Sequence, residues 1–452
     1  MNPRNLRKER RGVSEIVGFL IITAALFGAV TYVLVANAQK AETRAQGLID
    51  VMRESEMRQG EFLSYVHASG ASENTAGSWL SGWGYRVPIT VSAGENGMPD
   101  NYQVRVVLNT ASLISAGKMK SDAGDLRFTK SDGVTLLSYW IENGVNTPQT
   151  VIWVKDPSAL SANASHTIYA YSANPSATGV SDPKAVFAWW DNFDTNSLAN
   201  YTVLSGTWSW DSANKYLVCS STGEIRLTGV VLNNLEVTAQ LLQNYWATRV
   251  LVRVQDTSNY YGASCDPTGS NPSSRIVKNV SGSETALVTG GAPPSGTWTS
   301  WTVRAYGNNL YFKNYLGGTT YAELNVTDSA FTSGYVDLYG SVGDTKKYDN
   351  IRVRKYVSPE PTANAGTGLS FEPLKVVLYN YGTQSVRLSR VFVEGNEVQV
   401  VSYKDATIGE VYSSIPPGKL VEITFSCAPP SNEFYLTALT EYKGLYSWRV
   451  VL

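Results

Sequence analysis

Leu235-Glu-Val-Thr-Ala-Gln-Leu-Leu242 puts an apolar side chain at 235, 237, 239 and 241 and a polar one at each position between them. A period of two turns one side of an extended segment toward a core and the other toward water, so this stretch reads as a half-buried strand. Short segments of the same kind surround it, among them Thr207–Trp210, Thr248–Val254, Trp298–Ala305, Leu310–Phe312 and Gly334–Leu338, separated by turns rich in Gly, Asn, Asp and Pro. Regularly spaced short strands with turn signals between them describe β-sandwiches.

The bulk composition agrees with this. A chain of 452 residues exceeds what one core serves, so two to four domains are expected. Only 17% of residues are charged and the net charge is −1, which offers no field to attract nucleic acid. The abundant Gly, Ser, Thr, Asn, Tyr and Trp suit an extracellular β protein. Three cysteines, Cys219, Cys265 and Cys427, are too few for a disulfide scaffold; Cys219 with Cys265 is the expected pair if one forms, and inert buried thiols are the other reading.

The N-terminus differs in kind from the rest. Ile16–Ala36 is uncharged and mostly apolar, and at about 1.5 Å per residue it is long enough to cross a hydrocarbon core of roughly 30 Å. Arg4, Arg7, Lys8, Arg10 and Arg11 precede it against a lone Glu9, which keeps that end in the cytoplasm and sends the remainder outward. Apolar residues then continue at helical spacing to Val66, so the segment 13–67 is expected to form one long hydrophobic helix embedded in the membrane.

Arg10-Arg-Gly-Val-Ser-Glu-Ile-Val-Gly18 resembles the class III signal of archaeal type IV pilins and archaellins. The resemblance implies a leader, 1–12, removed by a prepilin peptidase between Gly12 and Val13, with Arg10 and Arg11 before the cut and helix-mediated assembly with other pilin-like subunits after it. Glu15 has two readings: a carboxylate that pairs with a neighbouring subunit's amine, or an interfacial carboxylate favoured by the macrodipole at a helix start. It would be third in the mature chain, which departs from the bacterial pattern.

A linker, 68–78, leads to a β-rich domain, 79–184. Its Trp83-Gly-Tyr-Arg86, Asp125-Leu-Arg-Phe128, Leu137–Glu142 and Trp153-Val-Lys155 resemble an uncharacterised β-rich domain of archaeal and bacterial surface proteins. The next domain, 185–357, opens with Asp191-Asn-Phe-Asp194 and closes with Tyr348-Asp-Asn-Ile-Arg-Val353, and resembles a concanavalin-like or laminin-G-like jelly roll. Such sandwiches bind glycans through aromatic faces, which makes Trp246, Tyr260, Tyr261 and Tyr311 the candidates, with core packing as the alternative. Asp191, Asp194 and Asp349 would meet if the first and last strands are neighbours, and hard oxygen ligands suit a structural calcium; turn and strand-end caps are the alternative. Sequons at Asn163, Asn200, Asn279 and Asn325 are candidate glycosylation sites.

After a second linker, 358–368, comes a domain spanning 369–452. Its Val376-Val-Leu-Tyr-Asn-Tyr-Gly382 and Ile415-Pro-Pro-Gly-Lys-Leu-Val-Glu-Ile423 resemble the C-terminal β-domain of archaeal pilins. The fold class expected is therefore mainly β, a long N-terminal hydrophobic helix followed by three β-sandwich domains.

No cofactor is expected and catalysis is disfavoured. His67 and His166 are the only histidines, too few for a histidine-rich metal site. No strand carries the spaced carboxylates a glycosidase needs, and Asp337 and Asp349 read as strand-end residues. The functional expectation is a pilin-like cell-surface subunit, minor or adhesive, with a membrane helix, an extracellular body and surface glycans as partners. The alternative is a membrane-anchored glycan-binding protein that does not polymerise, and a glycoside-active enzyme comes behind it.

Overall fold

The computed structural model describes residues 63–69, 79–243, 247–268, 272–341, 345–371, 373–426, 433–441 and 445–451. The chain divides into two compact units, one made of 1–79 with 372–452 and the other of 80–371.

In the first unit Leu63–Ser69 runs antiparallel to Lys375–Asn380, at the edge of a five-stranded sheet completed by Leu420–Phe425, Val400–Asp405 and Val411–Tyr412. Across from it lies a four-stranded sheet of Asn396–Val398, Leu388–Val393, Glu433–Thr440 and Leu445–Val451. Leu63, Val376, Leu378, Ile423, Leu436 and Val450 fill the space between. The domain is thus discontinuous, and residues 80–371 are inserted between two of its paired strands. An insertion of this kind needs its ends close together, and Phe371 N donates to Gly84 O at 2.8 Å.

This corrects the expected fold class. Residues 63–67, assigned to the long helix, are strand: Leu63 is buried while Val66 is 47% exposed, and ladder bonds to Lys375–Asn380 outweigh a weak helical periodicity. The longest helix among the described residues is Thr110–Ser115, and none there is long and apolar enough to cross a membrane. Arg10, Arg11, Gly12, Val13, Glu15 and the apolar run 16–36 lie outside the described residues.

Residues 80–371 hold two sandwiches. The first packs the sheet that contains Tyr85–Ser92, Ser165–Ser172 and Arg127–Thr129 on the three-stranded sheet Tyr102–Leu108, Thr150–Asp156, Tyr139–Asn143. The residues that carried the surface-domain resemblance do structural work here. The Trp83 indole donates to Asp125 O, the buried Asp125 carboxylate accepts from the backbone of Lys120, Ala173 and Asn174, and Arg86 lies 4.3 Å over Tyr169. Thr362–Ala365, inside the stretch read as a linker, is a strand paired with Tyr85–Ser92.

The second sandwich faces a seven-stranded sheet against an eight-stranded one. Leu235–Gln243 lies inside the larger sheet between Lys346–Lys355 and Thr297–Tyr306, and Leu235, Val237, Ala239 and Leu241 all enter the core. The two sandwiches meet at a cluster of Trp140, Trp153, Val186, Phe187 and Trp190. Arg352 bonds Glu142 at 2.8 Å there, and the buried Arg354 bonds Glu236, Glu360 and Tyr102 at 2.7, 2.7 and 3.1 Å.

Candidate functional site on the outer face of the seven-stranded sheet

Successive strand residues point to opposite faces. In Gly334–Gly340 the core takes Val336 and Leu338, leaving Tyr335, Asp337 and Tyr339 outside; in Gly223–Leu232 it takes Ile225 and Leu227, leaving Glu224 and Arg226. Register then sets Glu224, Tyr339, Arg249 and Ser264 in one row and Arg226, Asp337, Leu251 and Gly262 in the next.

The floor of this face is apolar. Leu251, Val254, Tyr260 and Val277 are buried together, with Tyr335 and Tyr339 against them. Gly262 allows the closure, since a Cβ there would stand 2.9 Å from Leu251 Cδ2 and 3.1 Å from Val277 Cγ2. The rim is charged. Arg226 donates twice to the fully buried Asp337, at 2.9 and 2.8 Å, and lies 3.9 Å over the Tyr335 ring. Arg249 bonds Glu284 at 2.6 Å and the Tyr260 hydroxyl at 3.2 Å, 4.9 Å over Tyr339.

Two acceptors on this face are unmet. Glu224 is 5% exposed and Asn279 8% exposed, and neither Glu224 Oε1 nor Asn279 Oδ1 has a hydrogen-bond partner. Leaving such a group dry costs about 1–3 kcal/mol, so the face holds recognition capacity its own residues do not use. Burial, and then the hydrogen bond and charge of Asp337, push the Glu224 carboxyl up to about 8.

A carboxyl with a folded value above its unfolded one binds its proton more tightly when folded. Its contribution is complete below the unfolded carboxylate range and is lost as pH rises through about 8. Asp349, pushed up to about 6 by burial first and by Asp194 and Asp191 after it, adds a loss at lower pH. Urea midpoints measured from pH 5 to 9 are expected to fall in the wild type and to fall less in Glu224→Gln above pH 6. Parallel profiles for the two proteins would contradict the assignment.

The aromatic candidates are dispersed. Tyr260 belongs to the floor just described at 4% exposure, Tyr261 points into the core, and Tyr311 lies on the outer face of the opposite sheet with its hydroxyl on Glu323. None of the three offers an open ring beside another, and Trp246 lies outside the described residues. Asp191 has spent its carboxylate on Phe193 N, Ser197 and Tyr201 at 2.9, 2.5 and 3.0 Å. Asp194 is bonded to Asn192, and Asp349 accepts from Asn350 N at 2.7 Å. The first and last strands are neighbours, as the calcium reading required, and Asp191 and Asp194 lie near enough to Asp349 to raise its carboxyl, while among the described residues no group of three or more His, Cys, Asp or Glu side chains is placed to hold a metal.

Asn163, Asn200 and Asn325 are exposed, whereas Asn279 is buried in its strand. Cys219 and Cys265 are free thiols on different sheets, not a disulfide, because each is locked into a separate ladder. Burial pushes them up to about 11 and about 12. Neither is expected to react with a thiol reagent at pH 8 until denaturant is added, which a timed colorimetric titration checks.

Sequence reading missed Glu224, Arg226 and Asp337 as a set. Asp337 is not a strand-end residue but the middle of Gly334–Gly340, and the signal was there in Tyr335, Asp337 and Tyr339 alternating with Val336 and Leu338.

A family model described as a domain of unknown function (DUF2341) matches residues 122–213. No curated protein matches the chain. The chain is similar to the carbohydrate-binding module CBM66 from Bacillus subtilis, with 18% identity over 34% of this chain and 96% of that one and a TM-score of 0.30. It is also similar to the exoplasmic/lumenal domain of VIP36 in a Ca2+/Man3GlcNAc-bound form, with 13% identity over 36% and 86% and a TM-score of 0.31. A protein of unknown function with a galectin-like fold from Bacillus subtilis shows 10% identity over 37% and 96% and a TM-score of 0.32. The pilin and archaellin resemblance is corrected: the described residues form β-sandwiches from Leu63 onward, and no helix among them is long and apolar enough to cross a membrane.

Proposed function

We propose that the protein is a carbohydrate-binding β-sandwich protein whose ligand lies on the outer face of the seven-stranded sheet. The observation that carries this reading is the pair of buried, unpartnered acceptors, Glu224 Oε1 and Asn279 Oδ1, beside an apolar floor with a tyrosine and arginine rim. Sugar hydroxyls donate to such acceptors while the C–H face of the ring packs on aromatic side chains. Binding rather than cleavage is favoured because Asp337, the carboxylate beside Glu224, is fully buried and committed to two bonds from Arg226, which leaves no second carboxyl free to act on a glycosidic bond.

The test is a glycan array probed with the full chain, followed by calorimetry of the best ligand. Tyr335→Ala with Tyr339→Ala, folded by circular dichroism, is expected to weaken binding at least about tenfold. No binding to any carbohydrate, or affinity unchanged in that variant, defeats the reading. An extracellular body belongs to the same proposal, supported by the low charge content and three exposed sequons. Cleavage of the body by protease added to intact cells checks it.

A further inference from the structure

Within residues 80–371 a cleft of about 470 Å³ opens where the two sandwiches meet, away from the sheet face. Its walls come from both: Asn96, Met98 and Leu160 from the first, Asn233, Asn234 and Tyr306 from the second. The walls are tied together before any ligand arrives. Asn96 Nδ2 donates to Ser358 O at 2.7 Å and Lys355 Nζ bonds Asp100 Oδ1 at 3.0 Å.

The lining has a definite chemical character. Lys355 is the one charged residue among the described residues that line it, and Asp100 already neutralises it. Asn234 Oδ1 is held by Gly307 N at 2.9 Å, which leaves its Nδ2 as a donor. Asn96 Nδ2 is spent on Ser358, which leaves its Oδ1 as an acceptor. Asn233 is exposed at the mouth with both functions available. Fixed donors and acceptors in alternation match hydroxyl groups, which do both. Beside them Tyr306 and Tyr356 stand edge to face, with ring centroids 5.9 Å apart at 85°, and Val231, 52% exposed, continues the apolar surface.

We propose that this cleft is a second ligand site, for one or two residues of a neutral carbohydrate. Hydroxyls pair with the Asn96, Asn233 and Asn234 amides, and an apolar ring face packs on Tyr306. A volume of about 470 Å³ is in the usual range for small-ligand pockets, and a junction between rigid sandwiches is a usual place for one. The absence of net charge in the lining argues against uronic acids and amino sugars.

Saturation-transfer NMR and calorimetry on the full chain test it, with cellobiose and maltose as neutral probes and glucuronate and glucosamine as charged ones. At least one neutral disaccharide is expected to bind. Asn233→Trp, which fills the mouth at an unchanged melting temperature, and Tyr306→Ala are expected to weaken it about tenfold or more, while Tyr435→Ala, at an exposed tyrosine of the other unit, leaves it unchanged. Equal binding of the charged sugars, no binding of either disaccharide, or full affinity in Asn233→Trp overturns the cleft. Loss confined to Tyr339→Ala overturns it too and leaves the sheet-face reading standing.

Discussion

Arg354→Met is expected to destabilise residues 80–371 by about 3–5 kcal/mol, the range for removing one partner of a buried ion pair. Arg354 is 2% exposed and holds Glu236 of the second sandwich, Glu360 of the segment after it and the Tyr102 hydroxyl of the first. Burial works against the charge on Arg354, but Glu236 and Glu360 more than offset it and hold the guanidinium above its ordinary range. Burial likewise pushes Glu236 up, and Arg354 with Arg304 pull it net below the usual carboxylate range. Methionine keeps the bulk and removes the charge, leaving Glu236 to Arg304 alone and Glu360 without its strongest partner. Calorimetry of the variant is expected to show a lower melting temperature, with the two sandwiches melting in separate transitions. A single transition at the wild-type temperature would mean that the aromatic cluster around Trp153 and Phe187 carries the junction by itself.

Trp301→Ala is expected to cost about as much, 3–5 kcal/mol, for a different reason: a buried aromatic removed from a packed core leaves a cavity that its neighbours only partly fill. Trp301 is 1% exposed, its ring centroid 4.6 Å from that of Phe312, and its indole N–H donates to Thr299 Oγ1 at 3.0 Å. Trp301→Phe keeps most of the ring volume and loses the hydrogen bond, so a smaller loss is expected. Denaturant midpoints of the two variants check the order. Equal losses would assign the stability to the indole hydrogen bond instead of to packing.

The sandwiches themselves were legible. Thr297–Tyr306 and Leu235–Gln243 announce which side chains go inward, and both send them there. The site was less legible. Tyr260 and Tyr261 looked alike as adjacent tyrosines, yet one lies on the floor of an outer face and the other in the core, because neighbours on a strand must part. Gly334 gave no sign of its role. A Cβ there would stand 2.4 Å from the Arg253 carbonyl carbon, beside a bulge where Arg253 itself adopts φ of 53°. Nor did anything near Leu63 reveal a strand, since its partner at Lys375–Asn380 is separated by the whole inserted unit.

Side-chain alternation is a property of a few consecutive residues, and it alone determined that most of the described residues are strand, where the turns fall and which residues are apolar enough to be core. Pairing is a property of the whole. Only the tertiary structure decided that Arg226 meets Asp337, 111 positions away, that Glu224 is buried beside them with its carboxyl pushed up, and that two sandwiches share an ion network and a cleft. A charged or polar residue in an alternating segment has the same local pattern whether it faces water or a neighbouring strand's carboxylate, and the register of distant strands selects between the two.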